Sequence, residues 1–242
     1  MADARPFEGQ LALVTGASRG IGAATAVALA EAGAHVILTA RDARRLEQVE
    51  DRIHEAGGAA TIAPLDLAEP DGINRLAQAI AGRWDTLDIM VLAAAVLPPL
   101  SPVTQIEPKQ FGNALTVNLM ATQSLLAAFD PLLKRSQDAR VTGLTSSVGS
   151  DPRAYWSAYA STKAAFDNLL ACYAQEVAKI GHIRVATVDP GATRTAMREK
   201  AYPGEDPQTV KPPEAVADRI VALLGEDFAT GHRERVAEPA QG

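Results

Sequence analysis

The chain has 242 residues, 47% of them hydrophobic, which fits one α/β domain and does not call for two. A formal charge of −6, with basic residues scattered in pairs such as Arg44-Arg45 and Lys134-Arg135, excludes the concentrated footprint of a nucleic-acid binder. One cysteine excludes an internal disulfide, and four dispersed histidines (His35, His54, His182, His232) form no pattern for a metal site. Cys172 falls in an apolar helical stretch and is expected to pack as a small hydrophobe. The opening residues, MADARPFEGQ, lack the apolar core of a signal peptide. No run approaches the ~18 apolar residues of a membrane span, so a cytoplasmic location without membrane contact is expected.

Residues 11–14 read as a short buried strand that runs into a glycine-rich turn. A helix over 21–32 follows, stopped by Gly33. Residues 35–40 form a second strand, and Asp42 offers an N-cap for a charged helix reaching 56. After Gly57-Gly58 come a third strand (59–65), a third helix (70–84) and a fourth strand (87–94). A proline-rich loop, 97–102, leads to a long helix that Pro108 opens and that runs to about 128. The fifth strand covers 141–146, a long helix 154–179 and the sixth strand 183–188, ended by Asp189-Pro190-Gly191. A last helix covers 213–224, and a seventh short strand is expected around 233–237. The intervening stretch 192–212 is a candidate mobile substrate loop, with 197–210 as its lid.

Strands alternating with helices of this length mean βαβ units. The expected fold class is therefore α/β, one domain over 1–242, with a doubly wound, mostly parallel sheet of six to seven strands flanked by helices. Right-handed crossovers put the ligand crevice at the carboxyl ends of the strands, where the motifs below all fall.

Thr15-Gly16-Ala17-Ser18-Arg19-Gly20-Ile21-Gly22 joins the first strand to the first helix. Glycine allows a tight turn and close approach of backbone to a pyrophosphate, and the helix N-terminus adds free N–H groups. Gly16, Ser18, Arg19, Gly20, Ile21 and Gly22 are thus candidate cofactor contacts; taken alone, the motif also reads as a plain turn. At the end of the second strand, Arg41 can pair with a 2′-phosphate, and Arg19 can reach the same group. Asp42 competes for the ribose hydroxyls of NAD, although capping the following helix also accounts for it. NADP(H) is preferred on this charge argument, with NAD(H) as the second option. Asp66, ending the third strand, is placed for the adenine side or for a turn.

Tyr159 and Lys163 stand four apart on one helix face, so the ammonium sits beside the phenol and is expected to lower its pKa. Ser146, 13 positions before Tyr159, can hydrogen-bond a substrate oxygen. Asn118 can hold a water or a backbone group in a proton relay. Hydride transfer to a carbonyl needs an acid of this kind, because the oxygen gains charge. A Tyr-x3-Lys pair by itself also occurs as surface decoration; joined to Ser146 and the glycine turn, it points to a site.

Together these residues resemble the short-chain dehydrogenase/reductase family along essentially the whole chain. The match comprises T-G-x3-G-I-G (Thr15 to Gly22), Asp66, Asn118, Ser146, Tyr-x3-Lys (Tyr159, Lys163) and Pro-Gly-x-Thr (Pro190, Gly191, Thr193). The resemblance implies a Rossmann fold, a catalytic set of Asn118, Ser146, Tyr159 and Lys163, and a homo-oligomer, tetramer or dimer. It also implies that Tyr159, Lys163, Pro190 and Gly191 contact the cofactor, Lys163 at the nicotinamide ribose, and that Thr193 and the Val188 backbone hold its nicotinamide end. One departure stands out: where the family carries Asn-Asn-Ala-Gly, this chain has Leu92-Ala93-Ala94-Ala95. Ala93 is still placed against the cofactor, but two amides that would tie the sheet are missing.

The implied function is an NADPH-preferring reductase or dehydrogenase of a carbonyl/alcohol pair, with a small-molecule substrate. The alternative is a nucleotide-binding redox sensor with little turnover, which the altered 92–95 stretch favours. A sugar-nucleotide epimerase needs a longer C-terminal region. Tyr155, Trp156 and the 97–100 loop are candidates for an apolar pocket lining, or for ordinary packing.

Overall fold

The computed structural model describes residues 5–69 and 71–237. Seven strands, β1 (Leu11–Thr15), β2 (His35–Ala40), β3 (Ala59–Pro64), β4 (Ile89–Leu92), β5 (Ala139–Leu144), β6 (Ile183–Asp189) and β7 (His232–Arg235), form one sheet. Their order is β3-β2-β1-β4-β5-β6-β7, and every pairing is parallel. Between them run α1 (Gly20–Glu31), α2 (Ala43–Glu55), α3 (Gly72–Ala81), α4 (Pro108–Leu115), α5 (Ala121–Leu133), α6 (Ser157–Val177), α7 (Ala196–Ala201) and α8 (Pro213–Gly225).

The central strands are apolar on both faces because helices cover both. In β1 the side chains alternate: Ala12 and Val14 join a core with α1, α2 and α8 (Leu29, Leu46, Ile53, Ile220), whereas Leu11 and Leu13 join one with α3, α5 and α6 (Ile80, Phe129, Leu170). Gly143 in β5 lets α6 lie directly on the sheet, since a Cβ there would overlap Leu170 and Phe166. Chain order reverses direction across the sheet at the β1/β4 pair, where Thr15 faces Leu92, and this opens a crevice at the carboxyl ends.

All seven expected strands and the helices between them are present, with ends moved by one to several residues. The third helix begins at Gly72; Pro70, its expected start, lies outside the described residues. The long helix opened by Pro108 is interrupted: residues Thr116–Met120 widen into one π turn between α4 and α5. The 192–212 stretch holds α7 and a 3₁₀ turn at Pro207–Thr209. Cys172 is exposed on the outer face of α6 rather than packed as a small hydrophobe, because the inward positions go to Tyr173, Ala174 and Val177.

Candidate active site

The site grows from the end of β1. Gly16 (φ 68°) and Gly20 (φ 57°) adopt left-handed backbone that favours glycine. A Cβ on Gly16 would come within 2.9 Å of the Ala94 backbone, and one on Gly22 would overlap the Gly16 carbonyl oxygen. The turn is therefore folded against the segment after β4. Thr15 makes that junction: its hydroxyl accepts from Ala93 N and Ala94 N, both at 3.1 Å, and donates to Val91 O at 3.4 Å. One buried hydroxyl thus ties β1 to the 92–95 stretch that lacks asparagine amides.

Around this turn lies a cleft of about 780 Å³. Gly16, Ser18, Arg19, Gly20, Ile21, Gly22, Arg41, Asp66, Ala93, Tyr159, Lys163 and Pro190 all line it, so most of the residues singled out in the sequence meet in one place. Asp42 caps α2 by accepting from Arg45 N at 3.2 Å and also pairs with the Arg45 guanidinium at 3.3 Å. Arg41 faces Asp66 at 3.9 Å, and Asp66 in turn accepts from Ala68 N at 3.0 Å. Both pairs are largely exposed, hence weak and open to exchange. Along the lining, Arg19, Arg41, Arg45, Arg194 and Lys163 set five cations against two carboxylates, Asp42 and Asp66. A polyanionic ligand suits that excess of three.

Tyr159 and Lys163 form the opposite wall, 7% and 3% exposed. The Lys163 ammonium lies 5.9 Å from the Tyr159 ring centre and donates to Leu144 O at 2.7 Å. Burial pushes it down to about 8, against the opposing pull of Asp167. Burial, reinforced by the Asp189 carboxylate, pushes the phenol of Tyr159 up instead of down. The expected lowering by the lysine is therefore outweighed: water is stripped from both groups, which disfavours both charges.

Asn118 sits in the π turn and is 1% exposed. Its amide holds a backbone group, not a free position: Oδ1 accepts from Val96 N at 2.8 Å, and Nδ2 donates to Val96 O and to Thr162 Oγ1, both at 3.0 Å. Thr162, which the sequence reading passed over, donates in turn to Tyr159 O at 2.7 Å. Loop, π turn and the first turn of α6 are thereby locked together.

Ser146 lies two residues past β5, half-buried, and among the described residues its hydroxyl makes no hydrogen bond. It does not line the cleft, and neither do Asn118, Gly191 and Thr193. Thr193 is 4% exposed and turns its hydroxyl into its own loop, toward Pro190 O (3.2 Å) and Gly191 O (3.4 Å). Thr195, two residues on, lines the cleft instead and caps α7 by accepting from Arg198 N at 3.2 Å. A threonine just ahead of a short polar helix was the available signal. Arg45 and Thr145 also line the cleft without having been singled out, and Arg194 and Met197 line it from the expected 192–212 loop. Among the described residues no cluster of His, Cys, Asp or Glu could hold a metal ion, and no helix is long and apolar enough to cross a membrane.

Residues 10–206 match the family model described as short chain dehydrogenase. The chain belongs to this family. Relatives of the short-chain dehydrogenase include the oxidoreductase YciK of Escherichia coli, 37% identical over 221 residues, or 90% of this chain and 87% of that protein. A fatty acyl-CoA reductase of Acinetobacter baylyi is 32% identical over 90% of this chain and 73% of its own length. Among solved structures, the short chain dehydrogenase from Shigella flexneri superposes with a TM-score of 0.93 at 34% identity, over 100% of this chain and 96% of that one. An Escherichia coli protein crystallised with NADPH gives 0.92 at 35% identity, over 97% and 99%. The chain is thus an oxidoreductase, a short-chain dehydrogenase on a single Rossmann domain.

Proposed function

We propose that this short-chain dehydrogenase is an NADPH-preferring reductase or dehydrogenase of a carbonyl/alcohol pair, with Tyr159 as its general acid and base. The observation that carries the reading is the meeting, on one cleft, of the glycine turn, the arginines of the β2 end and the Tyr159–Lys163 pair. The residues fit a dinucleotide: Gly16, Gly20 and Gly22 line the cleft at the start of α1, where free N–H groups can meet phosphate, and the lining is cationic. Support also comes from relatives of similar length crystallised with NADP or NADPH.

Under this reading, Gly16 to Gly22 and the start of α1 hold the pyrophosphate. Arg41, helped by Arg19 and Arg45, takes the 2′-phosphate, and Asp66 takes the adenine side. Lys163 holds the nicotinamide ribose, while Pro190 and Thr195 frame the nicotinamide end, backed by Gly191 and Thr193 of the same loop. When bound, the nicotinamide supplies the hydride in reduction and accepts it in oxidation. Ser146 donates a hydrogen bond to the substrate oxygen. Tyr159 gives its phenolic proton to that oxygen as the carbonyl is reduced, and its phenolate takes the proton back in the reverse direction. Burial and Asp189 keep the phenol protonated, which sets the free enzyme for reduction. Asn118 acts through the backbone it holds at Val96 and, by Thr162, at Tyr159. The 192–212 segment is the substrate lid, a homo-oligomer (tetramer or dimer) the assembly, and the cytoplasm the location that belong to this reading.

A redox sensor without turnover draws on the missing amides at 92–95, but that stretch stays tied to β1, since the Ala93 and Ala94 N–H groups donate to Thr15. The enzyme reading is the stronger. Fluorescence titration with NADPH and NADH, followed by a carbonyl panel with the tighter one, tests it. NADPH binding tighter than NADH, with consumption on a carbonyl, is expected; failure to bind either would sink it.

A further inference from the structure

Of the five cations that line the cleft, Arg194 has no task in the reading above. Arg41 pairs with Asp66 and Arg45 with Asp42, both at the β2 end. Lys163 is committed to Leu144 O. Arg19 and Arg194 remain, and among the described residues neither guanidinium makes a hydrogen bond or an ion pair. Arg19 is the N-cap residue of α1. Arg194 is exposed, on the loop between β6 and α7.

The main chain around Arg194 is held on both sides. Its N–H donates to Lys211 O at 2.8 Å, and Thr193 forms a parallel bridge with Lys211. Thr195 caps α7 through Arg198 N and lies against the glycine turn: a Cβ on Gly20 would come within 3.3 Å of the Thr195 methyl group. The loop after β6 therefore meets the start of α1, with Arg19 next to Gly20 in the one segment and Arg194 next to Thr195 in the other. A guanidinium on a held backbone, with no pair to break, loses little by taking up an anion.

Charge matching selects that anion. A nicotinamide dinucleotide phosphate carries two separate anionic groups, the 2′-phosphate and the pyrophosphate. Arg41, Arg19 and Arg45 answer the first. The second meets backbone N–H groups and the dipole of α1, worth about half an elementary charge, which leaves most of its charge unmatched. Resting on the dinucleotide reading above, we infer that Arg194 is a further cofactor-binding residue, whose guanidinium pairs with the pyrophosphate and holds it between the α1 N-terminus and the loop after β6.

The test is calorimetric titration of the intact protein with four ligands. NADPH, NADH and ADP-ribose carry the pyrophosphate; adenosine 2′-monophosphate lacks it. In Arg194→Gln the Kd of the first three is expected to rise by a similar factor, about 10–100-fold, as for a lost charge-assisted hydrogen bond. Adenosine 2′-monophosphate keeps its parent affinity, and the unliganded Tm stays at the parent value because the side chain is exposed and bonds to nothing. Arg194→Glu weakens the three pyrophosphate ligands further than Gln does. Unchanged affinity for those three in Arg194→Gln, a loss confined to NADPH, or equal effects of Gln and Glu overturns the inference while the dinucleotide reading stands. A parent protein that binds neither NADPH nor NADH brings down that reading and this inference with it.

Discussion

Tyr159 offers its phenol from a wall that is almost wholly buried, so a change that keeps the ring tests the proton alone. Tyr159→Phe is expected to lower kcat by about 10²–10⁴, the range for general acid–base catalysis, with NADPH affinity preserved; an unchanged kcat removes Tyr159 from its role. The buried Lys163, held down to about 8, gives the pH dependence. Below that value the ammonium is present and supports charge developing on the substrate oxygen; above it the charge is lost, while the upward-shifted phenol stays protonated. The kcat/KM for reduction is therefore expected to be level at neutral pH and to fall as pH rises through about 8. A profile flat to pH 10 would dismiss this assignment. At the β2 end, Arg41→Ala should weaken NADPH by about 10–100-fold, as for a lost charge-assisted hydrogen bond, and NADH much less. Equal losses would show that Arg41 reads no phosphate. Tyr159, Lys163, Arg41 and the glycines were legible because their chemistry is tied to residue type and short spacing. Thr162 was not: its hydroxyl has no signature until its partners, Asn118 and the Tyr159 carbonyl, are placed in space, whereas Thr195 carried only the N-cap signal of a short helix.

The βαβ order was readable element by element, since buried parallel strands give unbroken apolar runs and glycines mark the helix ends. The π turn at Thr116–Met120 escaped because apolar periodicity continues through it: Ala114, Val117, Ala121 and Leu125 are all buried. Within it the Asn118 amide is held by Val96 and Thr162, partners 22 and 44 positions away that periodicity does not reveal. The packing of α6 on β5 carries its own expectation. A methyl at Gly143 has no room beside Leu170 and Phe166, two side chains that are 1% exposed. Gly143→Ala should cost about 1–3 kcal/mol by overpacking, seen as a lower urea midpoint with an unchanged slope. A midpoint equal to the parent's would mean that α6 can lift from the sheet.

As a whole the molecule draws its cleft from the carboxyl ends of β1 to β6 and the segments after them, so a ligand there bridges most of the sheet. Binding should then register as global stability. NADPH at one hundred times its Kd adds about 2.7 kcal/mol, or roughly 5–10 °C in Tm for a domain of this size. A Tm that ignores NADPH would count against a dinucleotide site. The Thr15 tie reaches from the first strand to Ala93 and Ala94, 78 and 79 positions along the chain. To that tie the two alanines contribute only their backbone N–H groups, so another small residue at 93 leaves the junction intact. Position 94 is narrower, because its backbone touches Gly16. Position 15 has no such latitude: valine has the shape of threonine but leaves two buried N–H groups without an acceptor. Substitution should therefore be tolerated less at the position 15 hydroxyl than at the side chain of position 93.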